Sequence, residues 1–132
     1  MLLALQRATH RTLRSLADDL SALDITASEI NVLANLADGR TRTVRELGLD
    51  TGTKATTLTG VLDRLERRGY LARDLDPADR RSFRITLTAT GIAASADVLR
   101  AISELEHHAL GRVPDRDLRG YHAVIAALLE DH

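Results

Sequence analysis

Between Thr43 and Leu87 the apolar residues change period, from that of a helix to that of a strand. The stretch reads TVRELGLDTGTKATTLTGVLDRLERRGYLARDLDPADRRSFRITL. Thr43-Val-Arg-Glu46 has capping-box spacing and predicts a short helix to about Leu49, anchored by Leu47. Thr51-Gly52-Thr53 follows as a turn, where glycine takes positive φ at little cost. Thr53 then reads as the cap of a longer helix, Lys54 to Arg68, whose Leu58, Val61, Leu62 and Leu65 form a narrow stripe at three- and four-residue steps. Gly69 ends it. Tyr70–Asp74 and Ser82–Leu87 read as strands, with Phe83, Ile85 and Leu87 alternating against Ser82, Arg84 and Thr86. Between them the loop Leu75-Asp-Pro-Ala-Asp-Arg-Arg81 is too polar to bury.

The remaining segments read as helices around this stretch. Residues 1–22 carry Leu5, Leu13, Leu16, Ala17 and Leu20 with Arg7, Arg11 and Arg14 between them. Leu2, Leu3 and Leu5 make the start apolar on more than one side, either to finish the core or to meet a second subunit. Thr26-Ala-Ser-Glu29 is another capping box, with Glu29 expected to reach back to the cap, and Ile30, Leu33, Ala34 and Ala37 make its stripe up to Gly39. Asp38 to Arg42 reads as a polar connection. Thr88-Ala-Thr-Gly91 opens a long helix to about Leu110, with Ile92, Ala96, Leu99 and Ile102 or Ser103 along one side. Pro114 suits the first position of a last helix, strongly amphipathic through Leu118, Tyr121, Val124, Ile125, Leu128 and Leu129.

At 132 residues the chain suits one domain with a real core, and its few aromatics, Tyr70, Phe83 and Tyr121, leave that core aliphatic. There is no cysteine, hence no disulfide, thiolate metal site or thiol redox sensor. No run reads as a signal peptide or membrane span, so a cytoplasmic protein without a membrane partner is expected. Charge is unevenly placed. Residues 40–84 hold eleven basic and seven acidic side chains, a balance of +4, and the rest of the chain is acidic. Such a split is expected where one face meets a polyanion.

The expected fold is mainly α: a winged helix-turn-helix over 26–87, with a three-helix core and a two- or three-stranded wing. Residues 1–25 and 88–132 complete a single domain, 1–132. A helix like Lys54–Arg68 fits the major groove of double-stranded DNA, its first turns meeting base edges and phosphates. Thr53, Lys54, Thr56, Thr57 and Thr59 supply small or flexible polar groups there, Gly60, Asp63 and Arg67 share the face turned from the core, and Arg64 can reach a phosphate. Asp79, Arg80 and Arg81 tip the loop. Two guanidinium groups there suit the negative potential of an adjacent minor groove, with Asp79 placed to orient Arg81 through a charge-assisted bond.

ITASEINVLANL, TVREL, TLTGVLDRLERRGYLAR, DPADRR and LTATG occur in an order that resembles the MarR family of bacterial transcription regulators, over about residues 5 to 130. The resemblance implies a homodimer interlocked through the first and last two helices, with 1–25 and 88–132 as the dimerisation segments. It implies a pseudo-palindromic operator read in successive major grooves, with Asp79 and Arg81 matching the wing D-x-R and Arg81 in the minor groove. It also implies release of DNA by a small aromatic or phenolic molecule bound between the dimer helices and the winged part. His10, Arg14 and Arg45 are the polar residues to consider for that effector. Two departures stand out: Gly60 occupies a position where many members carry a long polar residue, and the chain starts close to its first helix.

No cofactor or metal is expected. Glu104 and His108 lie four apart with His107 adjacent, a spacing a metal can use, but they read as exposed helix residues. No phosphate loop or nucleophile–base motif is present, and His10, His107, His108, His122 and His132 lack catalytic partner spacing, so an enzyme is not expected. The expected function is a sequence-specific DNA-binding regulator, a repressor released by a ligand. The alternative is a winged-helix protein-interaction module without specific DNA binding. Phosphate neutralisation makes affinity fall steeply with salt, which separates the two.

Overall fold

The computed structural model describes residues 1–130; Asp131 and His132, the end of the segment expected to serve dimerisation, lie outside the described residues. Six helices and three short strands follow one another as α1 Leu2–Asp19, α2 Ala27–Leu36, β1 Arg42–Thr43, α3 Val44–Thr51, α4 Ala55–Arg67, β2 Leu71–Leu75, β3 Phe83–Leu87, α5 Ala89–Leu110 and α6 Asp115–Leu129. A 3₁₀ turn, Ser21–Leu23, links α1 to α2 and ends at Asp24 in the left-handed region. The sheet is antiparallel with order β1-β3-β2. The first strand was hidden in the sequence because its two residues, Arg42 and Thr43, pair with Ile85 and Arg84 and carry no period of their own.

The core is aliphatic and centred on α2, α3 and α4. Leu33, Leu47, Leu58, Leu62, Leu65 and Ile85 are all completely buried. The four-residue stripe of α4 accounts for every buried side chain on that helix. Burying each such leucine contributes about 1.5–3 kcal/mol, so this small cluster holds the winged part together. Leu16 and Leu20 bring the end of α1 onto it, whereas Leu2 and Leu3 remain exposed.

Both early caps form, but differently. Thr43 and Glu46 make the reciprocal box: the Glu46 N–H donates to Thr43 Oγ1 at 3.2 Å and the Thr43 N–H donates to Glu46 Oε2 at 2.9 Å. At α2 the Glu29 N–H donates to Thr26 Oγ1, but the glutamate does not reach back to the backbone; the Thr26 hydroxyl donates to Glu29 Oε1 at 3.0 Å. Glu29 is turned into the protein instead, towards Arg64 and Arg68. Thr53 is not the cap of α4; Lys54 occupies that position without a side-chain bond. Thr53 is committed to closing α3: its N–H donates to Gly48 O at 3.1 Å, past Gly52 at φ 65.

Two apolar patterns point elsewhere than the sequence implied. Along β3 burial does not alternate as expected: Ile85 is buried, Thr86 and Leu87 are both half-buried, and Phe83, two residues before Ile85, is exposed beside α3 because the strand overruns the core. On α5 the buried side is Gly91, Ala94, Ser95, Val98 and Ala101, while Ile92, Ala96 and Leu99 face out. That inner face packs against α2 and α1, and the first turn of α5 abuts the backbone of Tyr70, just ahead of β2. A Cβ on Gly91 would lie 1.7 Å from the carbonyl oxygen of Tyr70, so no other residue fits there. Pro114 precedes α6 as its cap, and α6 buries no residue in the protomer.

Candidate nucleic-acid interface

The α3–α4 pair is fixed by the core below and by polar ties at its ends. Asn31 of α2 donates to Thr51 O at 3.0 Å, and the Thr51 hydroxyl donates to Leu47 O at 2.8 Å. Arg42, 9% exposed, grips Asp38 with both terminal nitrogens at 2.9 and 2.7 Å, while its Nε donates to Asp50 at 2.7 Å. Those bonds, with the Arg40 N–H, hold Asp38 well below the usual carboxylate range, at about 2. Arg73 of β2 binds Glu66 and Asp63 of α4, each at 2.7 Å, and locks the far end of the helix to the sheet. Its own pKa is raised, first by the Glu66 bond.

With α4 so fixed, Lys54, Thr56, Thr57 and Thr59 are exposed along its first turns, and Thr53 is half-buried behind them. The Thr59 hydroxyl donates to Ala55 O at 2.9 Å, a bond that orients the side chain while its methyl and a lone pair stay outward. Arg64 is exposed two turns further on, but it has a protein partner: its Nε lies 3.7 Å from Glu29. Glu29 is 3% exposed, and its Oε2 accepts no hydrogen bond. Arg68 Nη1 lies 3.6 Å from the same carboxylate and donates to Asp24 O, its Nη2 donates to Leu23 O, and the guanidinium carbon sits 5.1 Å from the centre of the Tyr70 ring. Two partial attractions therefore balance one buried charge, and Glu29 was legible only as a cap.

At the wing tip Asp79, Arg80 and Arg81 are exposed. Asp79 does orient Arg81, but not through its guanidinium. The Arg81 backbone N–H donates to Asp79 Oδ1 at 3.0 Å, the Ser82 hydroxyl donates to Oδ2 at 3.3 Å, and the Ser82 N–H donates to Asp79 O at 2.9 Å. The carboxylate builds the turn and leaves the guanidinium unpaired. Asp76 serves the base of the loop in the same manner, accepting from the Ala78 N–H at 2.9 Å with Arg84 at 3.4 Å.

The basic residues of the region divide into paired and unpaired. Arg42, Arg64, Arg68, Arg73 and Arg84 pair with carboxylates; Arg40, Arg45, Lys54, Arg67, Arg80 and Arg81 have no such partner among the described residues. Of the three residues considered for an effector, Arg45 lines a crevice between α3 and the wing whose lining includes neither His10 nor Arg14, which lie one turn apart on α1. Glu104, His107 and His108 form no group of three metal-ligating residues, nor does any other set among the described residues.

The sequence profile of the MarR family matches residues 23–82, from the turn before α2 to the end of the wing loop. The chain is 34% identical over 83 residues to the HTH-type transcriptional regulator YcgE of Bacillus subtilis (strain 168), covering 63% of this chain and 54% of that protein. It thus spans about half the length of YcgE. Against the multiple antibiotic resistance protein MarR of Escherichia coli (strain K12) it is 32% identical over 97 residues, covering 74% of this chain and 67% of that one. The structure of Bordetella bronchiseptica BpsR, whose DNA binding is regulated by 6-hydroxynicotinic acid, superposes with a TM-score of 0.84. That comparison covers 100% of this chain and 94% of BpsR at 23% identity, and so speaks for the fold. Profile, relatives and architecture agree, and the chain belongs to the MarR family of transcription regulators.

Proposed function

We propose that the protein works as a homodimer that binds a pseudo-palindromic operator in double-stranded DNA and represses transcription until a small aromatic or phenolic effector releases it. The observation that carries this reading is the distribution of free cations. Among the described residues Lys54 at the start of α4 and Arg80 and Arg81 at the wing tip lack carboxylate partners, while the arginines nearer the core are paired. An unpaired guanidinium held at a loop tip by a carboxylate that binds only its backbone is ready for an external anion. In this reading Thr56, Thr57 and Thr59 meet base edges or phosphates in the major groove, and Arg81 enters the minor groove. The dimer is supported by the outward apolar sides of α1, α5 and α6, where Leu2, Leu3, Ile92, Leu99, Tyr121 and Leu129 are exposed in one protomer. An aromatic effector is supported by BpsR, a fold relative that answers to an aromatic acid.

The test is fluorescence anisotropy with the DNA upstream of the protein's own gene against a scrambled duplex, at two salt concentrations. Selective binding that weakens steeply with salt is expected. A second reading draws on Leu49, Leu75 and Phe83, exposed at the wing end, and makes the winged part a protein-binding surface. Absence of duplex binding even at low salt would favour it.

A further inference from the structure

The passage from α1 to α2 is a strained hinge. The chain reverses at Asp24, the one residue other than glycine with positive φ among the described residues (φ 50, ψ 52). A residue with a Cβ occupies that region at a cost, which Asp bears better than most. Directly after it Ile25 is buried and Thr26 caps α2, so the chain beyond the hinge is anchored in the winged part. Before it, α1 is attached through Leu16 and, at its C-cap, Leu20; no other residue of that helix is buried.

One side chain from the end of α4 spans the hinge. Arg68 is the C-cap of α4, and the Tyr70 N–H, donating to Leu65 O at 3.0 Å past Gly69 at φ 77, fixes its backbone. Its Nη1 donates to Asp24 O at 2.6 Å and its Nη2 to Leu23 O, while the buried Tyr70 ring lies under the guanidinium. A guanidinium presents both donors in one rigid plane, whereas a lysine ammonium is a point charge on a flexible stem.

We propose that Arg68 is a positioning residue: it clamps the hinge at Leu23 and Asp24 to the end of α4, and so sets the half-site spacing that the dimer accepts. The consequence for spacing rests on the dimeric, DNA-binding reading above, in which α1 joins the protomers and α4 enters the groove. The angle between α1 and α4 then fixes the separation of the two α4 helices. With 18 residues α1 is about 27 Å long, so rocking by about 10° at Asp24 moves its far end by about 5 Å. One base pair advances a half-site by about 3.4 Å and turns it by about 35°, so an unclamped hinge spans more than one register. The guanidinium is committed to two backbone carbonyls and acts on spacing rather than on a phosphate.

The chain has no cysteine, so Arg11→Cys on α1 and Ala55→Cys on α4, both at exposed positions, place two spin labels and no others. Electron–electron double resonance, with labelled chains diluted in unlabelled ones, reads the distance within one chain. Arg68→Ala should broaden that distribution about twofold or shift it. Arg68→Lys, which keeps the charge over Tyr70 and loses the fork, should lie between; it also serves as the test if Arg68→Ala does not fold. A distribution identical to the parent's would overturn the clamp. The same variants, unlabelled, are titrated with operators carrying one or two base pairs inserted or removed at the centre. The parent should prefer one spacing at least tenfold, and Arg68→Ala should reduce the preference to about threefold or less. An undiminished preference, even with a broadened distance, would overturn the role in spacing. If the parent binds no duplex, or is a monomer, the function proposed above fails, while the distance within one chain still decides the clamp.

Discussion

Glu29 of α2 and Arg64 of α4 face each other at 3.7 Å, the carboxylate almost wholly buried and the guanidinium about half exposed. A buried carboxylate oxygen without a hydrogen bond is costly. Its retention is explained if the charge holds Arg64 in place on the DNA side of α4. Arg68 is already held by two backbone carbonyls and needs no such help. Glu29→Gln keeps the shape and removes the charge. Stability should change by less than about 1 kcal/mol, because Arg64 can turn to water and Arg68 keeps its two backbone carbonyls. Sequence selectivity, the ratio of operator to scrambled-duplex affinity, should fall, and non-specific binding should gain in salt dependence. In an Arg64→Ala background the same substitution should leave selectivity unchanged. An equal loss in both backgrounds would show that Glu29 does not act through Arg64.

Gly60 belongs to the same arrangement. It lies in the middle of α4, where glycine costs about 0.5–1 kcal/mol relative to alanine. A Cβ there would meet Arg64 Nη1 at 3.7 Å, an ordinary contact, so alanine fits without strain. Arg64 therefore folds back along the helix over the surface that a longer residue at 60 would cover. Gly60→Ala should raise stability by roughly that 0.5–1 kcal/mol in thermal unfolding. Gly60→Gln should also displace the guanidinium and change DNA affinity, and a glutamine variant with wild-type affinity and selectivity would remove Arg64 from the readout.

The wing makes a separable claim. Arg81→Ala should cost about 1–3 kcal/mol of operator binding and lower the salt slope by about one, with an unchanged melting temperature, because the side chain has no ion-pair partner among the described residues. Asp79→Ala should weaken DNA binding too, through loss of the turn that presents Arg81. Competition titrations at several salt concentrations measure both. Wild-type affinity for Arg81→Ala would count against the minor-groove contact.

The dimer is tested on α6, which contributes nothing to the protomer core. Leu128→Asp with Leu129→Asp should give a folded protein of monomer mass in light scattering and markedly weaker operator binding. A dimer of normal mass would shift the interface to α1 and α5.

What the sequence made legible follows from how far each signal reaches. The stripe of α4 and the capping box at Thr43 are local, periodic and decided by nearest neighbours, and both formed as the pattern required. Phe83 and the α5 stripe were misplaced because period fixes which residues share a face, not how far the core extends beneath it. The roles of Glu29 and Thr53 were hidden for another reason. Each has a short-range motif available, and another demand took precedence: Arg64 of α4 and Arg68 just past its end in one case, the close of α3 in the other. The free state of Arg81 could not be seen either, since Asp79 is next but one to it and reads as its partner until the backbone N–H is found to take the carboxylate.

Asp38 gives the clearest pH signature in the protein. Arg42 grips both its oxygens and the Arg40 N–H adds a third bond, so folding lowers its pKa from 3.8 to about 2. The folded state then binds the proton less readily than the unfolded chain. The resulting stabilisation is complete above about pH 4 and is lost as pH falls towards 2. Asp38→Asn should therefore be less stable than the parent at neutral pH, and the two should converge as the pH approaches 2. Arg42 stays charged throughout, and in the variant it retains Asp50 as its remaining carboxylate partner. Urea unfolding at a series of pH values between 2 and 7 measures the gap. A gap that stays constant over that range would mean that the stabilisation comes from packing of the turn at Asp38 rather than from its ionised carboxylate.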